Sequence, residues 1–166
     1  MITLKNILVP FDFSECSDQA LRYGLELARK FDATLHLVHV VQDPATQPWA
    51  AEGFAIPLLE VTDQWLKEAE ERLAAAVPDL DRRRARVAAL LGAIYPEVLR
   101  YAEEEAIDLI VMGTHGRGGV SHLLLGSIAE KVIRRAPCPV LTVRHPERDF
   151  VVPELELDLV AAAPQA

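Results

Sequence analysis

Apolar positions in this chain gather into short runs separated by segments of helical period. Ile7-Leu8-Val9, ended by Pro10, reads as a buried strand. Phe11-Asp12-Phe13-Ser14-Glu15-Cys16-Ser17 follows and is rich in side chains that cap helices. Ala20, Leu21, Tyr23, Gly24, Leu27 and Ala28 then recur at helical spacing up to Phe31. Thr34 to Val41 is a second strand. Strand, helix and strand within this short span make a βαβ unit, so the two strands are expected to run parallel with a right-handed crossover.

Residues 42–57 break the pattern with Pro44, Pro48, Gly53 and Pro57, and read as a long loop of the kind that carries function or moves. An acidic amphipathic helix is predicted from Leu58 to Val77, stopped by Pro78. Arg86 to Leu91 alternates as a third strand. Pro96 suits the first position of a helix running to Glu105, because its missing N–H has no partner to lose there. Ile107 to Met112 is a fourth strand, Gly126 to Arg135 a helix, and Pro139 to Arg144 a fifth strand. Five strands alternating with helices predict an α/β domain over residues 1–145, its parallel sheet covered on both faces. The stretch 146–166 has no helical period and is broken by Pro146, Pro153 and Pro164. It reads as a tail or as an extra edge strand.

Composition changes the picture in two respects. With 17 Lys+Arg against 25 Asp+Glu the net charge is −8, which argues against nucleic acid or an anionic membrane as the main partner. No apolar run approaches the roughly 18–20 residues of a membrane span, and the N-terminus lacks a signal-peptide layout. Cys16 and Cys138 form neither a CxxC pair nor a disulfide framework, so a reducing cytoplasm is the expected compartment.

The densest chemistry begins where the fourth strand ends. The segment Gly113-Thr-His-Gly116-Arg-Gly-Gly-Val-Ser-His-Leu-Leu-Leu-Gly126-Ser127 places four glycines in seven residues and a fifth just before a helix. Glycines permit left-handed backbone and close approach of N–H groups to a ligand, and a helix N-terminus adds unpaired donors and positive dipole. That is a recipe for a phosphate cradle, the alternative being a tight turn that the glycines merely close. Neither a P-loop nor a Gly-x-Gly-x-x-Gly fingerprint is present, since no Gly-Lys occurs and Ser121 stands where the last glycine would fall. Zinc spacings and a nucleophile elbow are also missing from the sequence.

Gly113-x2-Gly116-x9-Gly126-Ser127 resembles the nucleotide-binding signature of the universal stress protein family, in its ATP-binding branch. Ile7-Leu8-Val9-Pro10-Phe11-Asp12-Phe13-Ser14 is similar to that family's first strand and adenosine loop. Asp108 to Gly113 and Cys138 to Arg144 are similar to its fourth and fifth strands, so the resemblance spans about residues 3–145. It implies a Rossmann-like sheet, related to adenine nucleotide α-hydrolases, in the order 3-2-1-4-5. The first and fourth strands would then meet at the crevice where such sheets bind ligands.

Carried over by position, the resemblance implies that Pro10 and Asp12 flank the adenosine and that Val40 contacts adenine. Gly113 would approach the ribose. Gly116, Gly126, Ser127 and the backbone of Ile128 would hold the phosphates of ATP, with Mg²⁺ shielding them. Ser14 and Met112 are further candidates. His115 is open to a phosphate contact or plain exposure, and Arg117 to a γ-phosphate contact or a solvated charge. The family pattern departs at Ala93-Ile94-Tyr95-Pro96 and in the tail.

The resemblance also implies a homodimer paired through the fifth strand, Val140 to Val143, with Leu141 or Val143 facing the copy. The expected function is regulatory nucleotide binding in a stress response, acting through a further protein partner. A slow ATP hydrolase and a nucleotide-independent dimeric scaffold are the rival readings. No general base, nucleophile or arginine pair is evident in the sequence beyond the glycine loop, which weighs against the hydrolase. His36 and His39 have opposite parity on one strand and read as packing. Arg82-Arg83-Arg84-x-Arg86 reads as a solvated turn in preference to a nucleic-acid patch, and Cys16, in the first turn of a helix, as a buried small hydrophobe in preference to a redox-active thiolate.

Overall fold

The computed structural model describes residues 2–43, 58–114 and 126–144. Its elements in chain order are β1 (Asn6–Pro10), α1 (Glu15–Phe31), β2 (Thr34–Val41), α2 (Leu58–Ala76), a 3₁₀ turn (Asp79–Asp81), β3 (Ala85–Leu91), α3 (Ile94–Glu104), β4 (Leu109–Gly113), α4 (Ser127–Arg135) and β5 (Val140–Val143). The five strands form one sheet in the order β3-β2-β1-β4-β5, all pairs parallel, as the resemblance implied. Most of the loop expected at 42–57, the glycine-rich stretch 115–125 and the tail from 145 lie outside the described residues.

The alternating sheet faces build two cores. Ile7, Val9, Leu35, Leu37 and Val111 face α1 and α2, where Ala20, Leu21, Leu25, Ala28 and Leu73 meet them. Leu8, Val38, Val40, Ile110 and Met112 face α3 and α4, against Val98, Ala102, Ala129 and Val132. Burying a large aliphatic side chain stabilises by about 1.5–3 kcal/mol, so these paired faces drive the assembly.

Several boundaries differ from the sequence expectation, for local reasons. Helix α3 starts at Ile94, which puts Pro96 at its third position. Its first internal bond runs from Glu97 N–H to the Ala93 carbonyl, so proline still forfeits nothing. Strand β4 starts at Leu109 because Asp108 is a junction: its Oδ2 accepts from the N–H groups of Lys5 (2.6 Å) and Asn6 (2.9 Å), and its own N–H donates to the Asn6 carbonyl. The arginine-rich turn is ion-paired. Buried Asp81 receives Arg29 through Nε (3.0 Å) and Nη2 (2.6 Å) and faces Arg84 Nε at 3.7 Å, while Arg82 pairs with Asp79. The hydrogen bond to Asp81 is the largest cause of a raised Arg29 pKa, with burial opposing it and Glu26 adding to it.

His36 and His39 divide between the two cores, as packing requires. His36 is buried, shares a 3.0 Å hydrogen bond with the Tyr101 hydroxyl, and stacks edge-on to that ring; its Nε2 meets no partner among the described residues. Burial lowers its pKa below the usual 6.5, with Glu105 opposing and Arg86 assisting. Burial likewise raises that of Tyr101.

A folded-state pKa below the unfolded one means that the unfolded chain binds more protons under about pH 6.5. The His36 contribution is therefore complete above that pH and is lost as pH falls toward the folded value. Urea midpoints measured from pH 7.5 to 5 are expected to decline below pH 6.5, and less steeply in His36→Gln, which retains a hydrogen-bonding group for Tyr101.

Gly24, mid-helix in α1, is where that helix seats on the sheet. A Cβ there would stand 2.6 Å from Val9 Cγ2 and 3.1 Å from Leu35 Cδ1. Overpacking costs about 1–3 kcal/mol and outweighs the roughly 1 kcal/mol of helix propensity that alanine would add. Gly24→Ala is expected to lower the urea midpoint with an unchanged slope.

Candidate functional site

All five strands run the same way, so their carboxyl ends share one edge of the sheet. Pro10 ends β1, Val40 lies one residue from the end of β2, and Met112-Gly113 ends β4. The ladder between β1 and β4 runs over Ile7↔Leu109 and Leu8↔Ile110 and stops there. Beyond it β1 still follows β2, since Pro10 is paired with Val38 and Phe11 N–H donates to the Val38 carbonyl at 2.7 Å. The crevice between the first and fourth strands thus opens where the order of the sheet reverses.

On the β1 side the chain turns directly into α1. Asp12 Oδ1 accepts from Ser14 N–H (3.1 Å) and from Ser14 Oγ (2.5 Å). Ser14 is also the N-cap: its side chain accepts from Ser17 N–H while Ser17 Oγ bonds back to the Ser14 backbone, a reciprocal capping box. The donors at the start of α1 are therefore partly engaged by the protein itself.

The β4 side is built differently. Thr114, buried, donates its N–H to the Val143 carbonyl (2.8 Å) and accepts from Gly126 N–H (2.7 Å). Residues 114 and 126 are thereby joined, and α4 starts immediately beside the end of β4. Its N-cap is Gly126, which has no side chain to satisfy the helix, so among the described residues the first-turn N–H groups of Ser127, Ile128 and Ala129 lack a side-chain cap. Positive dipole accumulates at such an end. Only Glu130 is acidic in the first turn, and Arg134 and Arg135 suit the other end.

The two described glycines of the motif, Gly113 and Gly126, do not take up left-handed backbone. Gly126 has φ −72°, an ordinary value. Gly113 is required by packing: a Cβ would lie 3.0 Å from the Cβ and the carbonyl oxygen of Cys16 in the first turn of α1. Cys16 is buried there, its Sγ 4.0 Å from the Val143 carbonyl.

Of the residues singled out from sequence, the structure gathers Pro10, Asp12, Ser14, Val40, Met112, Gly113, Gly126, Ser127 and Ile128 around this one edge. Val40 and Met112 are buried in the α3/α4 core; Ile128 packs its side chain there too, while Ser127 is exposed. His115, Gly116 and Arg117 lie outside the described residues. Among the described residues no cluster of three or more His, Cys, Asp or Glu side chains has a metal-holding arrangement.

The sequence reading passed over a cluster beside Asp12. Phe13 sits between His39 (ring centroids 4.8 Å apart) and the Arg72 guanidinium, which lies 3.8 Å over its ring. No local pattern marks Arg72, an exposed position on an acidic helix far along the chain.

Comparison with known proteins places this geometry among relatives. The model of the universal stress protein family matches residues 3–144. Universal stress protein MJ0531 of Methanocaldococcus jannaschii is 34% identical over 148 residues, covering 87% of this chain and 85% of that protein. The solved structure of protein MJ0577 superposes with a TM-score of 0.72 at 27% identity, covering 89% of this chain and all of that one. A universal stress protein solved in complex with cAMP shares the fold, with a TM-score of 0.57 at 23% identity over 86% of this chain and 98% of that chain. Among the described residues no helix is long and apolar enough to cross a membrane.

Proposed function

Since the chain belongs to the universal stress protein family, we propose that it binds an adenine nucleotide, ATP with Mg²⁺, and acts as a regulatory binding protein. The observation that carries the reading is the contrast between two helix starts at one crevice. Helix α1 is capped by Ser14 and Ser17, whereas α4 begins at Gly126 with no side-chain cap, beside the end of β4. An uncapped start with positive dipole suits phosphate oxygens, and charge-assisted bonds of that kind contribute roughly 1.5–3 kcal/mol each.

In this reading Asp12 accepts a hydrogen bond from the ribose or base, and Pro10 and Val40 supply apolar contact to the adenosine. Gly113, Gly126, Ser127 and the Ile128 backbone line the path of the phosphates. Gly116, His115 and Arg117, outside the described residues, belong to the same proposed loop. Mg²⁺ suits a site with few protein ligands, because it keeps several waters and is held largely by substrate phosphates. What it supplies when bound is charge neutralisation of the phosphates.

Calorimetry with ATP and Mg²⁺ is expected to give roughly micromolar affinity, about −8 kcal/mol. Gly126→Asp is expected to abolish binding with the fold retained. The backbone there suits any residue, and an aspartate both occupies the helix donors as an N-cap and repels phosphate. Asp12→Ala is expected to weaken binding about tenfold, the loss of one polar contact. No heat and no thermal shift at millimolar ATP would overturn the reading.

A second part of the reading concerns assembly. Strand β5 is at the sheet edge, with Leu141 partly exposed (37%) and Val143 buried in the α1/α2 core (2%). We propose that β5 pairs antiparallel with its copy across a two-fold axis, through Leu141 and not Val143. Light scattering at micromolar concentration is expected to give twice the chain mass, and Leu141→Lys one chain mass. A wild-type protein at one chain mass would refute the dimer.

A further inference from the structure

Phe13 has φ 63°, the left-handed region, between the end of β1 and the start of α1. A bulky non-glycine residue stays there only when its surroundings hold it. What holds it is visible. Its ring meets Phe11 edge-on at 5.1 Å and His39 at 4.8 Å, and Arg72 from α2 lies over it at 3.8 Å. His39 is itself fixed, with Nδ1 2.6 Å from the Phe11 carbonyl. A carbonyl only accepts, so Nδ1 carries the proton.

Arg72 comes to this place because its neighbours Ala69, Leu73 and Val77 are buried against the sheet, leaving it on the flank of α2. The turn that Phe13 closes is the one that orients Asp12. Both Ser14 N–H and Ser14 Oγ reach Asp12 Oδ1 across residue 13. If Phe13 relaxed to negative φ, Ser14 would swing away from Asp12 and that double contact would break.

We propose that Phe13 is a positioning residue, clamped by Arg72, through which helix α2 holds the Asp12 carboxylate in its binding orientation. The proposal rests on the adenine-nucleotide reading above. It adds that α2, which takes no direct part in that site, sets its affinity. A nucleotide drawn to Asp12 would in turn favour the clamped position of α2, since coupling between two binding equilibria is reciprocal.

The test is a double-mutant cycle read by calorimetry with Mg·ATP on the full chain, with thermal melts in parallel. Arg72→Ala is expected to weaken ATP binding about three- to fivefold, the range of an exposed cation–π contact. In an Asp12→Ala background the same change is expected to have less than about a 1.5-fold effect, because Arg72 acts only through that carboxylate. Phe13→Tyr is expected to retain wild-type affinity and Phe13→Ala to lose about tenfold, with Arg72→Gln as a second way to remove the cation at an exposed site. An Arg72→Ala effect equal in both backgrounds, or wild-type affinity in Arg72→Ala, would overturn the positioning role while leaving nucleotide binding in place. A wild-type chain that takes up no ATP would remove the nucleotide reading and this role together. The two failures are thus distinguished by the wild-type titration.

Discussion

The close seating of α1 on the sheet is the constraint on which the remaining geometry depends. Gly24 lets the middle of the helix rest on Val9 and Leu35, and Gly113 lets the end of β4 reach the main chain of Cys16 in its first turn. One helix is thereby held at two points against three neighbouring strands, β2, β1 and β4. Interiors are packed as densely as organic crystals, so neither contact has slack to give. With the first turn of α1 fixed, the short link from Pro10 to Ser14 has few conformations left, and Phe13 takes the left-handed one.

From that seating follows the asymmetry of the crevice. On one side Asp12, Ser14 and Ser17 satisfy one another and the helix start. On the other, Thr114 bonds through its backbone to Val143 and Gly126, drawing α4 up to the end of β4 with an N-cap, Gly126, that has no side chain to offer its first donors. Elsewhere carboxylates are provided for by the fold, as buried Asp81 is by Arg29 and Arg84 and half-buried Asp108 by the backbone of Lys5 and Asn6. Against that background a helix start left without a side-chain cap beside a crevice is a feature that invites an anion. A rigid sheet edge with loops at its carboxyl end is also the usual arrangement for placing variable binding loops on an invariant frame.

The elements themselves were legible from hydrophobic period and turn chemistry alone. Ile7-Leu8-Val9, Thr34 to Val41 and the helical stripe ending at Phe31 are where those patterns predict them. Period is a property of neighbours in sequence, and strands and helices answer to neighbours in sequence. The spaced glycines and the Asp12 loop pointed to one family and, with it, to the strand order the sheet has. Boundaries were less legible: β4 starts only at Leu109 because Asp108 before it bonds to Lys5 and Asn6, about a hundred residues away.

What only the tertiary structure decided has a common physical cause: each case is a contact between residues distant in the chain. Gly113 looks in sequence like a glycine for backbone freedom, yet its missing Cβ makes room for Cys16. Leu141 and Val143 are equivalent apolar residues of one strand until the sheet buries Val143 and leaves Leu141 at the surface. Arg72 is one more charge on an acidic helix until the fold lays it over Phe13. The sequence by itself determined which elements form and which residues gather at the carboxyl edge, since those follow from local period and a spaced motif. Packing, which has no local signature, decided what each of those residues touches.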